Sequence, residues 1–315
     1  MIVYHGGVSG NHPWSILAKT KLSMLTSFAS LYRNDNHTQR LVELANDERV
    51  LHHFVDSGAF TLNRWLKQKC GDVENLWDSE EHWKYVDAYI DWLKSGKVKV
   101  DTYANVDRIG DSETSHRNLV YMEEKGTRPI PVIHYPGSFE WLQRYADSYE
   151  YIGLGGMVGV DRKTMIGWLD RCFEILCPPP RYVCKVKVHG FGISGFSILF
   201  RYPWYSVDSV TYALLGGYGS ILVPCMRRGR FVFDMPPKTI PISIRRGGRV
   251  HYEFLSLKEK NIICDWVKMC GLSIQEVLEG STERKIVNIC YLNSVGEVLQ
   301  YDRPFYPSVK VGMLW

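Results

Sequence analysis

Six short apolar segments of this 315-residue chain each end on a polar side chain or a bare stretch of backbone. "HHFVD" ends on Asp56 and runs into Ser57, Gly58 and Ala59; "YANVD" ends on Asp107 and "IPVIH" on His134. "YIGLGG" ends on Gly155 and Gly156, "KVKVHG" on His189 and Gly190, and "YSVD" on Asp208. Singly, each has an ordinary use: the aspartates as helix N-caps, the histidines as satisfied core residues, the glycines as a tight turn. Gathered at one rim they form a reactive set. One carboxylate can attack the anomeric carbon of a sugar while a second carboxyl manages the proton on the departing group, which is the logic of retaining glycosyl transfer. Asp56 and Asp208 suit these two roles. Asp107 could accept the N1–H and exocyclic amine of a guanine edge. The Gly155-Gly156 turn would offer backbone N–H groups to the guanine carbonyl, where any side chain would block approach. His134 and His189 read either as base contacts or as core histidines.

A common rim requires parallel strands that deliver their ends to one side. Apolar runs at 21–31, 50–60, 98–107, 128–136, 149–159, 182–192 and 204–213 alternate with helical patterns at 37–47, 80–96, 112–125, from Ser138 onward, and at 161–176. This alternation predicts an α/β fold with a parallel sheet and helices outside it. Seven or so units suggest closure into a (β/α)8 barrel of the TIM type, with an open doubly wound sheet as the competitor. In a barrel, the active site forms at the C-terminal ends of the strands, where the polar groups above would lie. Beyond residue 220 the pattern changes: "SILVP", "GRFVFD" and "ISIRRGGRVHYEFL" read as β-ribbons, followed by helices at 257–270, 273–280 and 282–291. Residues 1–220 are therefore expected to be the barrel core with the site. Residues 221–315 are expected to be a last barrel unit with a basic ribbon and C-terminal helices, within the same domain or as a small appended region.

Hydrophobic residues at 45% and charged residues at 23% leave enough apolar material for one large core. No apolar run approaches the roughly 18–20 residues that span a bilayer. The start, "MIVYHGGVSGNHPW", lacks the basic-then-apolar order of a signal peptide, so a soluble, intracellular protein with no membrane partner is expected. The eight cysteines contain no CxxC or CxCxxC pair, so no zinc or other metal site is expected and the thiols are read as reduced. The adjacent His52 and His53 lie inside a strand and are not read as metal ligands. The net charge of +4 decides little, but Arg227, Arg228, Arg230, Lys238, Arg245, Arg246 and Arg249 face a single acid, Asp234, in the same interval. That cluster is either a solvated face or a phosphate-binding one.

These segments, in this order, resemble the tRNA-guanine transglycosylase superfamily, and more closely its phage and bacterial branch that places 7-deazaguanines in DNA. "DSGAF" is similar to the family's DSGGF motif, whose aspartate handles protons at the exchanged base. "YIGLGGMVG" is similar to its GGLAVG turn, which binds the base through backbone N–H groups, and "KVHGFGIS" resembles its LGVGTP segment. "YSVDS" stands where the family carries its nucleophile and "NVD" where it carries the aspartate that reads guanine. The similarity runs from residue 20 to 215. It implies Asp56 and Asp208 as catalytic, and Ser57, Gly58, Asp107, His134, Gly155, Gly156, Met157 and His189 as substrate-binding. It implies no cofactor beyond the free 7-deazaguanine co-substrate, with 7-cyano-7-deazaguanine as the expected base, and a place in the bacterial cytoplasm.

The departures from the pattern are specific. Thr61 replaces the glutamine after DSGGF, His134 stands in place of another glutamine, and the CxCxxC zinc segment that follows the nucleophile in the tRNA enzymes is missing. That segment helps the tRNA enzymes hold RNA. Its loss, with arginine-rich ribbons in its place, shifts the expected polymer to DNA, contacted by Arg227, Arg228, Arg245, Arg246 and Arg249, with tRNA as the alternative. A non-catalytic polynucleotide-binding subunit, a hydrolytic N-glycosidase and a homodimer stay open at this point.

Overall fold

The computed structural model describes residues 1–8, 13–70, 76–193, 195–244 and 251–306. Eight parallel strands form one curled sheet: β1 (Ile2–Gly6), β2 (Leu22–Ser27), β3 (Val50–Asp56), β4 (Thr102–Tyr103), β5 (Val132–His134), β6 (Tyr151–Gly155), β7 (Lys187–Gly190) and β8 (Ser206–Ser209). Their spatial order is β4-β3-β2-β1-β8-β7-β6-β5, which is chain order with β1 laid beside β8. Where the order breaks, between β4 and β5, Ala104 and Ile130 make a parallel bridge. There the Asn105 N–H donates to the Ile130 carbonyl at 3.1 Å, and the Ile130 N–H to that of Tyr103 at 2.8 Å. The registers bring Ser27 beside Asp56, His134 beside Gly155, and Tyr4 beside Asp208, so the polar strand ends share one edge of the sheet.

The helices start where capping residues permit. Ser79, Asp111, Ser138 and Asp161 each accept a backbone N–H of the first turn of the helices Glu80–Lys94, Ser112–Glu124, Phe139–Ser148 and Arg162–Leu176. Their apolar faces lie on the outside of the sheet: Leu119, Met122, Leu142, Leu169 and Phe173 are fully buried. From the helix Glu80–Lys94, the Tyr89 hydroxyl donates to the carbonyls of Val55 (3.3 Å) and Ala104 (3.1 Å), tying the ends of β3 and β4 together.

Past residue 220, β9 (Ser220–Val223) pairs antiparallel with β12 (Lys238–Pro241), and β10 (Cys225–Arg227) pairs with β11 (Arg230–Val232) in a hairpin. The ribbon expected over 242–255 is not seen in its described part, where Tyr252–Phe254 is a single 3₁₀ turn. The last helix, Ser281–Val298, is eight residues longer than its apolar spacing suggested and packs against β1, β9 and the helix Thr211–Gly217. It reaches β1 through close backbone approaches. The terminal amine of Met1 donates to the carbonyls of Gly296 (2.9 Å) and Leu299 (2.8 Å), and a Cβ at position 296 would lie 2.8 Å from the Met1 carbonyl oxygen. Among the described residues no helix is long and apolar enough to cross a membrane.

Candidate active site

A cavity of about 550 Å3 opens at the C-terminal edge of the sheet, a size suited to a small molecule. Asp56, Gly58, Asp107, His134, Gly156 and Asp208 line it, with apolar walls from Leu25, Phe60, Ile109, Val132, Val158 and Phe191. Three carboxylates face the space and, among the described residues, no Lys or Arg does, so a phosphate would be repelled and a group rich in N–H donors welcomed.

The two aspartates with the largest assigned roles are not caps. Asp56 ends β3, and its Oδ2 accepts the N–H of Gly58 at 3.1 Å. The turn that follows requires glycine twice over: Gly58 has φ +78°, and a Cβ there would strike the Ala29 side chain and lie 2.7 Å from Ser27 Oγ. Asp208, in β8, accepts the Gly192 N–H on Oδ1 at 2.8 Å, while the helix Thr211–Gly217 begins at Val210 without a side-chain cap. Asp111 caps the helix after β4, which leaves Asp107 free for the cavity.

Asp107 is buried and held from two sides. The Ser57 hydroxyl donates to its Oδ1 at 3.1 Å, and His134 Nε2 meets its Oδ2. Asn105 anchors the same segment, donating to the Ser115 carbonyl (3.0 Å) and accepting the Val132 N–H (3.1 Å). Tyr85 fixes the other side by donating to the Ser57 carbonyl at 2.5 Å. The glycines of β6 acquire a second purpose here. A Cβ at Gly155 or Gly156 would come within 3.1 Å of the His134 side chain, and Gly156 has φ +74°. Bare backbone at this turn makes room for the imidazole that orients Asp107.

His189 lies behind the cavity wall, fully buried, with its ring stacked on Phe54 at 4.5 Å. Its Nδ1 is 2.6 Å from Ser206 Oγ, which is 2.5 Å from the Tyr151 hydroxyl, and its Nε2 is 3.4 Å from Asp208 Oδ1. One proton arrangement avoids setting a lone pair against the carboxylate: Tyr151 donates to Ser206, Ser206 to Nδ1, and Nε2–H points at Asp208. Burial lowers the His189 pKa, so the ring is neutral, and its dipole alone faces the carboxylate. Sequence reading offered His189 as a base contact; its side chain meets Asp208 and not the cavity. Met157 likewise packs its side chain into the core, and Ser57 reaches the site only through Asp107.

Burial and, after it, the charges of Asp107 and Asp208 push the Asp56 carboxyl up to about 7, against the opposing Gly58 N–H and His134. The folded protein therefore keeps a proton that the unfolded chain releases near pH 4. Stability from this group is fully present below that value and is lost as pH rises through 7. Each pKa unit is worth about 1.4 kcal/mol; local relaxation and water entry around the ionised carboxylate return part of this, and Asp56→Asn, which cannot ionise, recovers about 2 kcal/mol. For a chain of this size that raises Tm by roughly 4 °C at pH 8. The difference should vanish at pH 4. Equal melting temperatures for the two proteins across this range would mean that Asp56 ionises freely.

The basic residues are placed less centrally. Arg227 and Arg228 are exposed at the tip of the β10–β11 hairpin, Arg227 at 3.7 Å from Asp234. Arg245, Arg246 and Arg249 lie outside the described residues. His52 is exposed, whereas His53 is buried and bonded to the Lys99 carbonyl (2.8 Å) and Thr26 (3.2 Å). Among the described residues no group of three or more His, Cys, Asp or Glu side chains is arranged to hold a metal ion. The apolar walls were missed in the sequence. Phe60 and Phe191 sit inside motifs already quoted, Phe60 four residues after Asp56 and Phe191 directly after Gly190, and those aromatics were the available signal.

Comparison with models of known protein families and with curated proteins gives no match.

Proposed function

We propose that this protein is a nucleic-acid guanine transglycosylase that exchanges guanine in DNA for a 7-deazaguanine, with 7-cyano-7-deazaguanine as the incoming base. The observation that carries the reading is three carboxylates around one cavity, with Asp56 able to hold a proton near neutral pH. A closed (β/α)8 barrel is part of the proposal, supported by the Ala104–Ile130 bridge between the edge strands.

The target guanine must leave the base stack to enter the cavity. Asp107 accepts its N1–H and amine, using lone pairs that Ser57 and His134 leave open. Asp208 attacks C1′, the bond from C1′ to the base breaks, and its electron pair stays with guanine, which takes the Asp56 proton. The incoming base then gives its N9 proton to Asp56 and attacks C1′, and the aspartyl ester breaks to restore the Asp208 carboxylate. This is acid–base work for a group with a pKa near the working pH. No metal or organic cofactor enters the proposal.

The test is to incubate the protein with DNA or tRNA carrying labelled guanine, add candidate 7-deazaguanines, and analyse released base and nucleosides by mass spectrometry. Label loss from DNA with gain of the deazanucleoside is expected. Exchange confined to tRNA would reassign the polymer, and release that leaves abasic sites would make the protein a hydrolase. Release from neither polymer would overturn the reading.

A further inference from the structure

Thr61, at the rim of the catalytic cavity, also lines a second cleft of about 170 Å3 between the 28–33 turn after β2 and the helix Ala59–Cys70. Both elements follow strand ends, so this cleft opens on the same side of the sheet as the cavity. Its walls are rings. Tyr32 stands 6.0 Å from Trp65 and 4.9 Å from Tyr85, centroid to centroid. Arg33, at φ +60°, lays its guanidinium 4.9 Å over Tyr32 and 5.7 Å from the Trp65 ring. A non-glycine residue in the left-handed region is a held conformation, and here it places a planar cation on an aromatic cleft. Glu81, whose charge Arg33 feels, is already paired with Lys69 at 2.7 Å. The helix between 59 and 70 adds Arg64 and Lys67 and contains no acid.

The two hollows divide the chemistry of a polynucleotide between them. The anionic cavity admits a base and rejects phosphate, while the aromatic cleft offers a stacking surface with a cation beside it. We propose that the cleft is a subsite for the nucleotide adjacent to the exchanged one in single-stranded or locally opened DNA, with its base against Trp65 and Tyr32 and its phosphate on Arg33. The proposal rests on the base-exchange reading. Tyr85 couples the hollows physically: it walls the cleft, and its hydroxyl holds the Ser57 peptide whose side chain holds Asp107.

The test titrates a fluorescently labelled single-stranded oligodeoxynucleotide and, separately, free guanine into the wild type, Arg33→Gln and Trp65→Leu. Each variant is expected to weaken oligonucleotide binding about tenfold. Arg33→Gln should also reduce the slope of log K against log salt by about 0.7. Free guanine should bind all three proteins equally. Arg33 is exposed, so its variant decides the matter even if Trp65→Leu does not fold. Unchanged oligonucleotide affinity and salt slope in Arg33→Gln, or an equal loss for free guanine, would overturn the subsite. A wild type that binds the oligonucleotide through Arg33 but exchanges no base would leave the cleft as a nucleotide-binding site and remove the exchange reading.

Discussion

Asp208→Ala is expected to abolish base exchange and to leave no covalent protein–DNA species. The proposed nucleophilic route passes through an ester between the Asp208 carboxylate and C1′ of the target sugar. Omitting the incoming base should therefore trap wild-type protein on DNA in a form that survives denaturant. The geometry suits this proposed step: Gly192 N–H and His189 face Oδ1, and among the described residues Oδ2 makes no hydrogen bond. One oxygen is positioned while the other can attack. Loss of a nucleophile costs on the order of 10⁴–10⁶-fold in kcat. Asp56→Ala should behave differently, because general acid–base assistance is worth about 10²–10⁴-fold and adduct can still form slowly. An adduct peptide that maps to Asp56 in the wild type would exchange the two assignments.

The strand ends were legible because parallel strands put chemistry where an apolar run stops. Seven of the eight strands could be read as runs bounded by polar residues, although "LTSFASL" was read as strand past Ser27, where Phe28–Ser30 turns as 3₁₀. β1 was not legible. Among the described residues only the short helix Pro13–Leu17 follows its five residues, too little to mark a βα unit, and its place between β2 and β8 is set by pairings about 20 and 200 residues away. The helix Ala59–Cys70 was missed because Ser57-Gly58 reads as an extension of the strand. With it went Trp65 and the aromatic cleft. That Asp56, Asp107 and Asp208 would meet at one cavity was readable from residue type and position, but the state of Asp56 was not. The proton on Asp56 depends on burial and on two other carboxylates drawn from distant parts of the chain. That Gly155 and Gly156 accommodate His134 required the packing itself.

Asp107→Asn is the second large effect expected under the proposed function, and the contacts of Asp107 give the reason it should report on the base and not on the fold. Two neighbours hold the carboxylate, and both can adapt to an amide: the Ser57 hydroxyl can rotate to accept, and His134 can change tautomer. Melting temperature should accordingly stay within about 2 °C of wild type, since a well-accommodated polar exchange costs about 1 kcal/mol or less. Guanine cannot adapt. Its N1–H and amine would meet an N–H group where a carboxylate stood, leaving a buried donor unpaired at about 1–3 kcal/mol and removing the charge assistance as well. Exchange of labelled guanine should fall roughly 100-fold or more in kcat/KM. The incoming 7-deazaguanine carries the same edge and should suffer the same loss. Wild-type exchange in a folded Asp107→Asn protein would make Asp107 a structural residue, and the reading of guanine would then have to pass to His134 or to the backbone of Gly156, which also face the cavity.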